Sequence, residues 1–326
     1  MRAIVITRNG GPEVLAIEER PDPTPSPGEV LIEVKAFGLN HAEVYFRKGL
    51  WGDVAEISGI ECVGLVKADP AGVFEAGQKV LALVGGLGRS RNGSYAELVT
   101  VPSTNVVAIN ATLPWEELAA IPESYATAWT SLFGLLRMEK GQTVAIRGST
   151  SALGQAAVNL AAYAGAQVLA TTRNAARAAL LETLGAKEVF LESSDLAKRV
   201  RQRYPQGIDA VVDIVGNTTV LDSLAMVTRG GHVNLVGFLG GSGPLTLEPV
   251  FQIPSGVLFS VFASAVVTGT LEFPLSEIPF QAIVDRVADG TYKAKPAKVF
   301  RFDEIQAAHR MMESASGPGG KLVVKL

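Results

Sequence analysis

Two stretches of this chain have residue types and spacing suited to holding a phosphorylated cofactor. The first, Gly148-Ser149-Thr150-Ser151-Ala152-Leu153-Gly154, is small and flexible, and lies between the β-branched run Thr143–Arg147 and the alanine-rich run Ala152–Ala164. Thr143–Arg147 suits a buried parallel strand, Ala152–Ala164 a helix ended by Gly165, and Gln167–Thr171 a second strand. The start of such a helix offers free N–H groups and a positive dipole end to a pyrophosphate. Ser149, Thr150, Ser151, Ala152 and Leu153 are therefore the expected cofactor contacts. Of the G-x-G-x-x-G fingerprint only Gly154 matches, because Ser149 and Ser151 stand at the first two glycine positions. The alternative is a tightly packed βαβ unit with no ligand. A triphosphate-binding loop is not expected, since Gln155-Ala156 follow Gly154 where that loop needs a lysine.

The second stretch is Thr171-Thr172-Arg173-Asn174, about 20 residues further on, where an acid ordinarily binds the ribose 2′-hydroxyl of NAD. No acid is present. The hydroxyls of Thr171 and Thr172 can donate to a 2′-phosphate and Arg173 can pair with it, with Arg177 four residues on as a second candidate. The alternative for both arginines is an ordinary solvated helix position. The expected cofactor is NADPH. A third set, Asn40 and Tyr45 on a helix-like segment Asn40–Arg47, offers an amide donor and a phenol to a carbonyl oxygen. Their alternatives are a helix cap and a packed aromatic.

These groups need a scaffold. The chain has 326 residues, 48% hydrophobic and 19% charged, with a net charge of −3, enough for about two globular domains. No basic field is available for nucleic acid or an anionic membrane surface. The longest apolar run, Val257–Val267, is too short to span a bilayer, and because Met1-Arg2 leads directly into strand-like sequence no secretory signal is expected. A single cysteine, Cys62, allows no intrachain disulfide, so a cytoplasmic protein is expected.

The first third is β-rich. Ala3–Thr7, Val30–Phe37, Gly59–Val66, Lys79–Leu83 and Tyr95–Val101 are short strands between Pro- and Gly-bearing turns, as in a small barrel or sandwich. Helices are expected over Trp115–Ile121 and Tyr125–Met138. Strands beginning at Thr143, Gln167, Glu188, Ala210, His232 and Val257, with helix-like stretches between most of them, form a doubly wound parallel sheet. Beyond Gly269 the chain reads as a helix, a strand, a helix and a last strand, Lys321–Lys325, expected to return to the first domain as an edge strand. The domains are then 1–122 with 272–326, and 123–271. Arg47, Lys48 and Lys321 read as solvated charges, Asp213 as a structural residue, and His232 and His309 as core or surface histidines.

Pro27-Gly-Glu-Val-Leu, Gly38-Leu-Asn-His, Gly59-Ile-Glu-Cys-Val-Gly64, Gly93-Ser-Tyr-Ala-Glu97, the serine-rich turn before Gly154, and Gly319-Gly-Lys-Leu-Val-Val324 occur in this order over nearly the whole chain. Together they resemble the medium-chain dehydrogenase/reductase superfamily, and most of all its zinc-free quinone oxidoreductase branch. The resemblance implies an α/β fold in which a GroES-like β-barrel catalytic domain is interrupted by a Rossmann domain, with the active site in the cleft between them. It carries over Thr127, Gly216, Asn217, Gly237 and Phe238 as cofactor contacts, and places Asn40 and Tyr45 in the active-site cleft as candidate catalytic groups. Zinc-dependent relatives have a cysteine at the position of Asn40 and a His-Glu pair at Ile60-Glu61, and a cysteine lobe where Val84–Gly93 has none. No metal is expected. The resemblance also implies a homodimer joined along the sixth Rossmann strand, within the run Val257–Val267.

The chemistry left is hydride transfer from NADPH to a small-molecule electron acceptor whose own delocalisation spreads the growing charge, a quinone or an α,β-unsaturated carbonyl. An enoyl-thioester reductase and a non-catalytic NADPH-binding sensor are the alternatives.

Overall fold

A computed structural model describes every residue except Ser242, Ala315 and Ser316. The chain forms two compact units, residues 1–126 with 265–326, and residues 127–264. Residues 123–126 and 265–271, which the sequence reading gave to the nucleotide domain, thus fall in the first unit.

In the first unit β1 (Arg2–Ile6) and β2 (Leu15–Glu19) form an antiparallel hairpin. The main sheet holds β3 (Glu29–Gly38), β4 (Glu61–Ala68), β5 (Lys79–Leu83), β6 (Leu98–Pro102), β7 (Val106–Ala108), β14 (Lys298–Arg301) and β15 (Leu322–Lys325). Its order is β14-β15-β3-β4-β5-β7, with β6 also on β3. Ten residues make β3 long enough to share: Glu29–Glu33 pairs with β6, and the Ala36–Gly38 end pairs with β15. The last strand is therefore internal, not the edge expected from sequence, and β14 is the edge beside it. Alternating residues such as Val30, Ile32, Val34, Val99, Val101 and Val324 close one apolar core. Two helices bear on the site, α1 (His41–Arg47) after β3 and α2 (Trp115–Leu118) after β7.

The second unit is a six-stranded parallel sheet of β8 (Thr143–Arg147), β9 (Gln167–Thr172), β10 (Glu188–Leu191), β11 (Ile208–Asp213), β12 (Val227–Leu235) and β13 (Leu258–Val261). The order β10-β9-β8-β11-β12-β13 is the doubly wound dinucleotide arrangement, with the reversal beside β8. Helices α4 (Ala152–Tyr163), α5 (Ala178–Thr183), α6 (Leu196–Arg203) and α7 (Val220–Met226) make the crossovers between the first five strands. The connection to β13 carries a single turn of helix, α8 (Pro249–Gln252).

Two expected elements are broken. The helix expected over Tyr125–Met138 is α3 (Pro122–Trp129) followed by a π-turn, Thr130–Leu135. There Leu136 N–H reaches back to the Ser131 carbonyl, and Arg137, at φ 50, ends the segment. The apolar run Val257–Val267 yields only four strand residues before α9 (Ser264–Val267). Pairing sets that limit: β12 ends at Leu235, which lies opposite Val261, so the run beyond it has no strand to join. The tail adds α10 (Phe280–Ala288) and α11 (Ile305–Glu313).

Candidate functional site

The serine-rich turn shows how a fingerprint short of two glycines still makes a tight loop. Ser149 is fully buried, its hydroxyl donating to the Ile146 carbonyl at 2.5 Å and accepting from Thr171 N–H at 2.9 Å, so it ties β8 to β9. The sequence reading aimed Ser149 at the cofactor; the structure turns its side chain inward. Ser151 caps α4, accepting from Gly154 N–H at 3.0 Å while donating to the Gly148 carbonyl at 2.9 Å. This geometry demands glycine at both ends: Gly148 sits at φ +85, and a Cβ on Gly154 would lie 2.4 Å from the Gly148 carbonyl oxygen. Thr150 is half-buried, with its carbonyl bonded to Gln155. Among the described residues the backbone N–H groups of Ala152 and Leu153 have no partner, and they open α4 as an anion site would.

At the end of β9 the two threonines are also committed inward. Thr171 Oγ1 accepts from Gly148 N–H at 3.1 Å, and Thr172 Oγ1 both accepts from Asn174 N–H and donates to its carbonyl at 3.1 Å. Both threonines are buried, so neither hydroxyl is the 2′-phosphate donor expected from sequence. Arg173 is exposed, and among the described residues its guanidinium makes no hydrogen bond or ion pair. Arg177 ends the short helical turn Ala175–Arg177 and is half-exposed.

Gly216 and Gly237 lie in the turns just after β11 and β12, against one another. A Cβ on Gly216 would meet the Gly237 carbonyl at 2.5 Å, and one on Gly237 would meet the Ile214 carbonyl at 2.5 Å. Gly216 also has φ +99, which an L side chain resists. Asp213 braces the first turn, accepting from Val215 and Gly216 N–H at 2.9 Å and from Thr219 and Ser223 hydroxyls. It is the structural residue expected, and burial raises its pKa. Asn217 donates to the Gly243 carbonyl, Phe238 is half-buried, and Thr127 is buried on α3. Arg147, next to the loop, is 2% exposed and held by Glu192, Asp222 and Ser223.

A second set of candidate residues lies in the first unit. Asn40 precedes α1 and its backbone N–H donates to the Glu43 carboxylate at 2.5 Å. Its side-chain amide donates to Glu61 Oε1 at 2.8 Å and to Glu43 Oε1 at 3.3 Å, and its Oδ1 accepts from Lys321 Nζ at 2.6 Å. Lys321 also pairs with Glu61. Both amide protons of Asn40 are thus spent on the carboxyl oxygens of Glu61 and Glu43, so the free donor inferred from sequence is absent. Glu43 and Glu61 are fully buried and Lys321 is 4% exposed, against the expectation of a solvated lysine. Gly38 is the signal in the sequence that could have revealed this cluster. It sits on β3 opposite β15, and a Cβ there would lie 2.3 Å from Lys321 Cε and 2.5 Å from Glu61 Oε1.

Burial outweighs the nearby ammonium of Lys321 and raises the pKa of Glu43 to about 8. Arg47 is not a surface charge either: it is fully buried, bonded to the Gly10 carbonyl and to Glu313, which Lys48 also meets. Tyr45 is half-buried, its ring stacked on Trp51 at 6.2 Å between centroids, and burial raises its phenol pKa. His309 is a core residue whose Nε2 meets the Tyr95 hydroxyl at 3.1 Å, and burial lowers its pKa to about 3. His232 is half-buried against Ser260 at 2.8 Å. Cys62 is buried within the barrel core, where burial raises its thiol pKa. Among the described residues no group of three or more His, Cys, Asp or Glu could hold a metal ion.

Comparison with known proteins follows the same division. Residues 26–111 match the alcohol dehydrogenase GroES-like domain, and residues 152–274 the zinc-binding dehydrogenase family. Human quinone oxidoreductase is 26% identical over 336 residues, covering all of this chain and 98% of the relative. The structure of mycobacterial Rv1454c complexed with NADPH is 26% identical, with a TM-score of 0.86 and full coverage of both chains. That of an NAD-dependent alcohol dehydrogenase is 30% identical, with a TM-score of 0.83 and full coverage of both. The barrel, the doubly wound sheet and the loop before α4 define an oxidoreductase, and the chain belongs to the medium-chain dehydrogenase/reductase superfamily. Within it, the chain falls in the quinone oxidoreductase branch.

Proposed function

We propose that the chain is an NADPH-dependent reductase of quinones or α,β-unsaturated carbonyls that works without zinc. The observation that carries this reading is Arg173: an exposed guanidinium with no partner among the described residues, at the end of β9 where an NAD site would place an acid. One relative is named as NAD-dependent and another is complexed with NADPH. A cation with no acid beside it favours the second cofactor, because a 2′-phosphate needs a positive partner and a ribose hydroxyl does not. The N–H groups of Ala152 and Leu153 would hold the pyrophosphate, with Arg177 supporting Arg173. Thr127, Gly216, Asn217, Gly237 and Phe238 would border the nicotinamide end.

When bound, the reduced nicotinamide supplies a hydride. Tyr45 then donates its phenolic hydrogen bond to the acceptor oxygen as negative charge grows there. Burial raises the phenol pKa, so Tyr45 keeps its proton across the neutral range. Asn40 serves as the brace at the start of α1, since its amide is engaged with Glu61 and Glu43.

A cytoplasmic homodimer completes the reading. No helix among the described residues is long and apolar enough to cross a membrane. The β13 edge of the sheet exposes Leu258 (55%) and Val261 (64%), and α8 exposes Val250 and Phe251 (both 86%). A second copy laid along this edge would cover an apolar surface that a lone chain leaves in water.

Steady-state oxidation of NADPH against a panel of quinones, enals, enones and enoyl thioesters tests the reading. Turnover is expected with quinones or enones. Tyr45→Phe is expected to lower kcat by about tenfold or more, with NADPH affinity kept. Binding without turnover on any acceptor would instead favour a sensor.

A further inference from the structure

The second unit holds the groups assigned to the cofactor, while the first contains a charged cluster that those assignments leave without a role. Two carboxyl groups and one ammonium, Glu43, Glu61 and Lys321, are almost completely sealed from water around the side chain of Asn40. Burying such a set is costly, and a hydrophobic replacement often serves stability as well or better. Its presence here calls for something the charges do that packing alone does not.

The arrangement has one feature that neutralisation does not require. Lys321 bonds Glu61, and it also donates to Asn40 Oδ1 at 2.6 Å. With the oxygen held toward the ammonium, the Asn40 NH2 group faces the carboxyl oxygens of Glu61 and Glu43, at 2.8 and 3.3 Å. Turning the amide over would set its oxygen against the Glu61 carboxylate and its protons against the Lys321 ammonium, so a single orientation survives. The fixed amide sits at the start of α1, the helix that carries Tyr45. The sequence makes room for this on a strand: Gly38 lacks the Cβ that would strike both Lys321 and Glu61.

We propose that Lys321 is a positioning residue for the reductase reaction, orienting the Asn40 amide and, through it, the start of α1, the helix that carries Tyr45. The inference rests on the reading that Tyr45 assists the acceptor. Lys321 does not touch the acceptor; it acts from the residue just before β15 on one 281 positions earlier in the chain.

The experiment uses the full-length protein, Lys321→Met, and the charge-balanced double variant Lys321→Met/Glu61→Gln, which remains informative should the single variant fail to fold. Melting temperature, NADPH dissociation constant, kcat with a quinone acceptor, and the 15N side-chain resonance of Asn40, identified by its loss in Asn40→Asp, are measured on each. In the double variant melting is expected to return close to wild type and NADPH affinity to stay within about twofold, while kcat remains down by about tenfold and the Asn40 amide signal shifts. Recovery of kcat together with melting temperature would overturn the proposal and leave Lys321 a structural counter-charge. An unmoved Asn40 resonance would overturn it equally. A wild-type protein that oxidises no NADPH with any acceptor sinks the reductase reading instead, and the amide resonance still decides whether Lys321 orients Asn40.

Discussion

Glu43 combines burial with a proton that its neighbours only partly oppose. Its carboxyl accepts N–H groups from Asn40 and Ile60 and lies near Lys321, all favouring the charged form, yet burial dominates and its pKa stands at about 8 against 4.5 for a free side chain. Between these two values the folded chain holds a proton that the unfolded chain has released. Its contribution to stability is therefore complete below about pH 4.5 and is lost as pH rises to about 8. Denaturant midpoints measured from pH 5 to pH 9 should fall more steeply for the wild type than for Glu43→Gln. Equal slopes would mean that Glu43 is already ionised in the folded protein. At this scale the sequence revealed residue types but not their surroundings. Lys321 and Arg47 read as solvated because charged side chains usually are, and only contacts across distant strands and helices bury them.

Single elements were easier to read. The βαβ unit is legible because its cues are local: a β-branched strand, small turn residues, alanines and a closing glycine. The parts that sequence missed depend on pairing partners. A four-residue β13 and an internal β15 follow from where β12 and β3 end, which no local pattern records. The serine-rich loop falls between the two. Ser149 and Ser151 depart from the glycine pattern, and their hydroxyls replace it with bonds that fix the turn. Ser151→Ala is expected to cost about 1 kcal/mol through loss of the α4 cap. Gly154→Ala is expected to cost more, and to weaken nucleotide binding, because its Cβ would push on the Gly148 carbonyl at 2.4 Å. Thermal melts with and without NADPH check both. A Gly154→Ala protein that binds as the wild type does would show that the loop tolerates the extra methyl group.

For the whole molecule, the alternation of strand and helix made the doubly wound sheet legible, and the β-rich start and tail pointed to the barrel. The association state depends on a surface whose partner is outside the chain. Leu258 and Val261 are exposed at the free edge of the six-stranded sheet. Replacing Val261 with Lys is expected to convert a dimer to monomer in sedimentation velocity while leaving the melting of each chain cooperative; a monomeric wild type would contradict the dimer.

The central claim is that this fold grips NADPH through a cation at the end of β9, and titration of purified wild type and Arg173→Ala with NADPH and NADH addresses it most directly. The wild type should bind NADPH at least about tenfold more tightly than NADH, and the substitution should remove that preference while leaving NADH affinity nearly unchanged. Equal affinities in the wild type, or equal losses for both nucleotides in the variant, would contradict it.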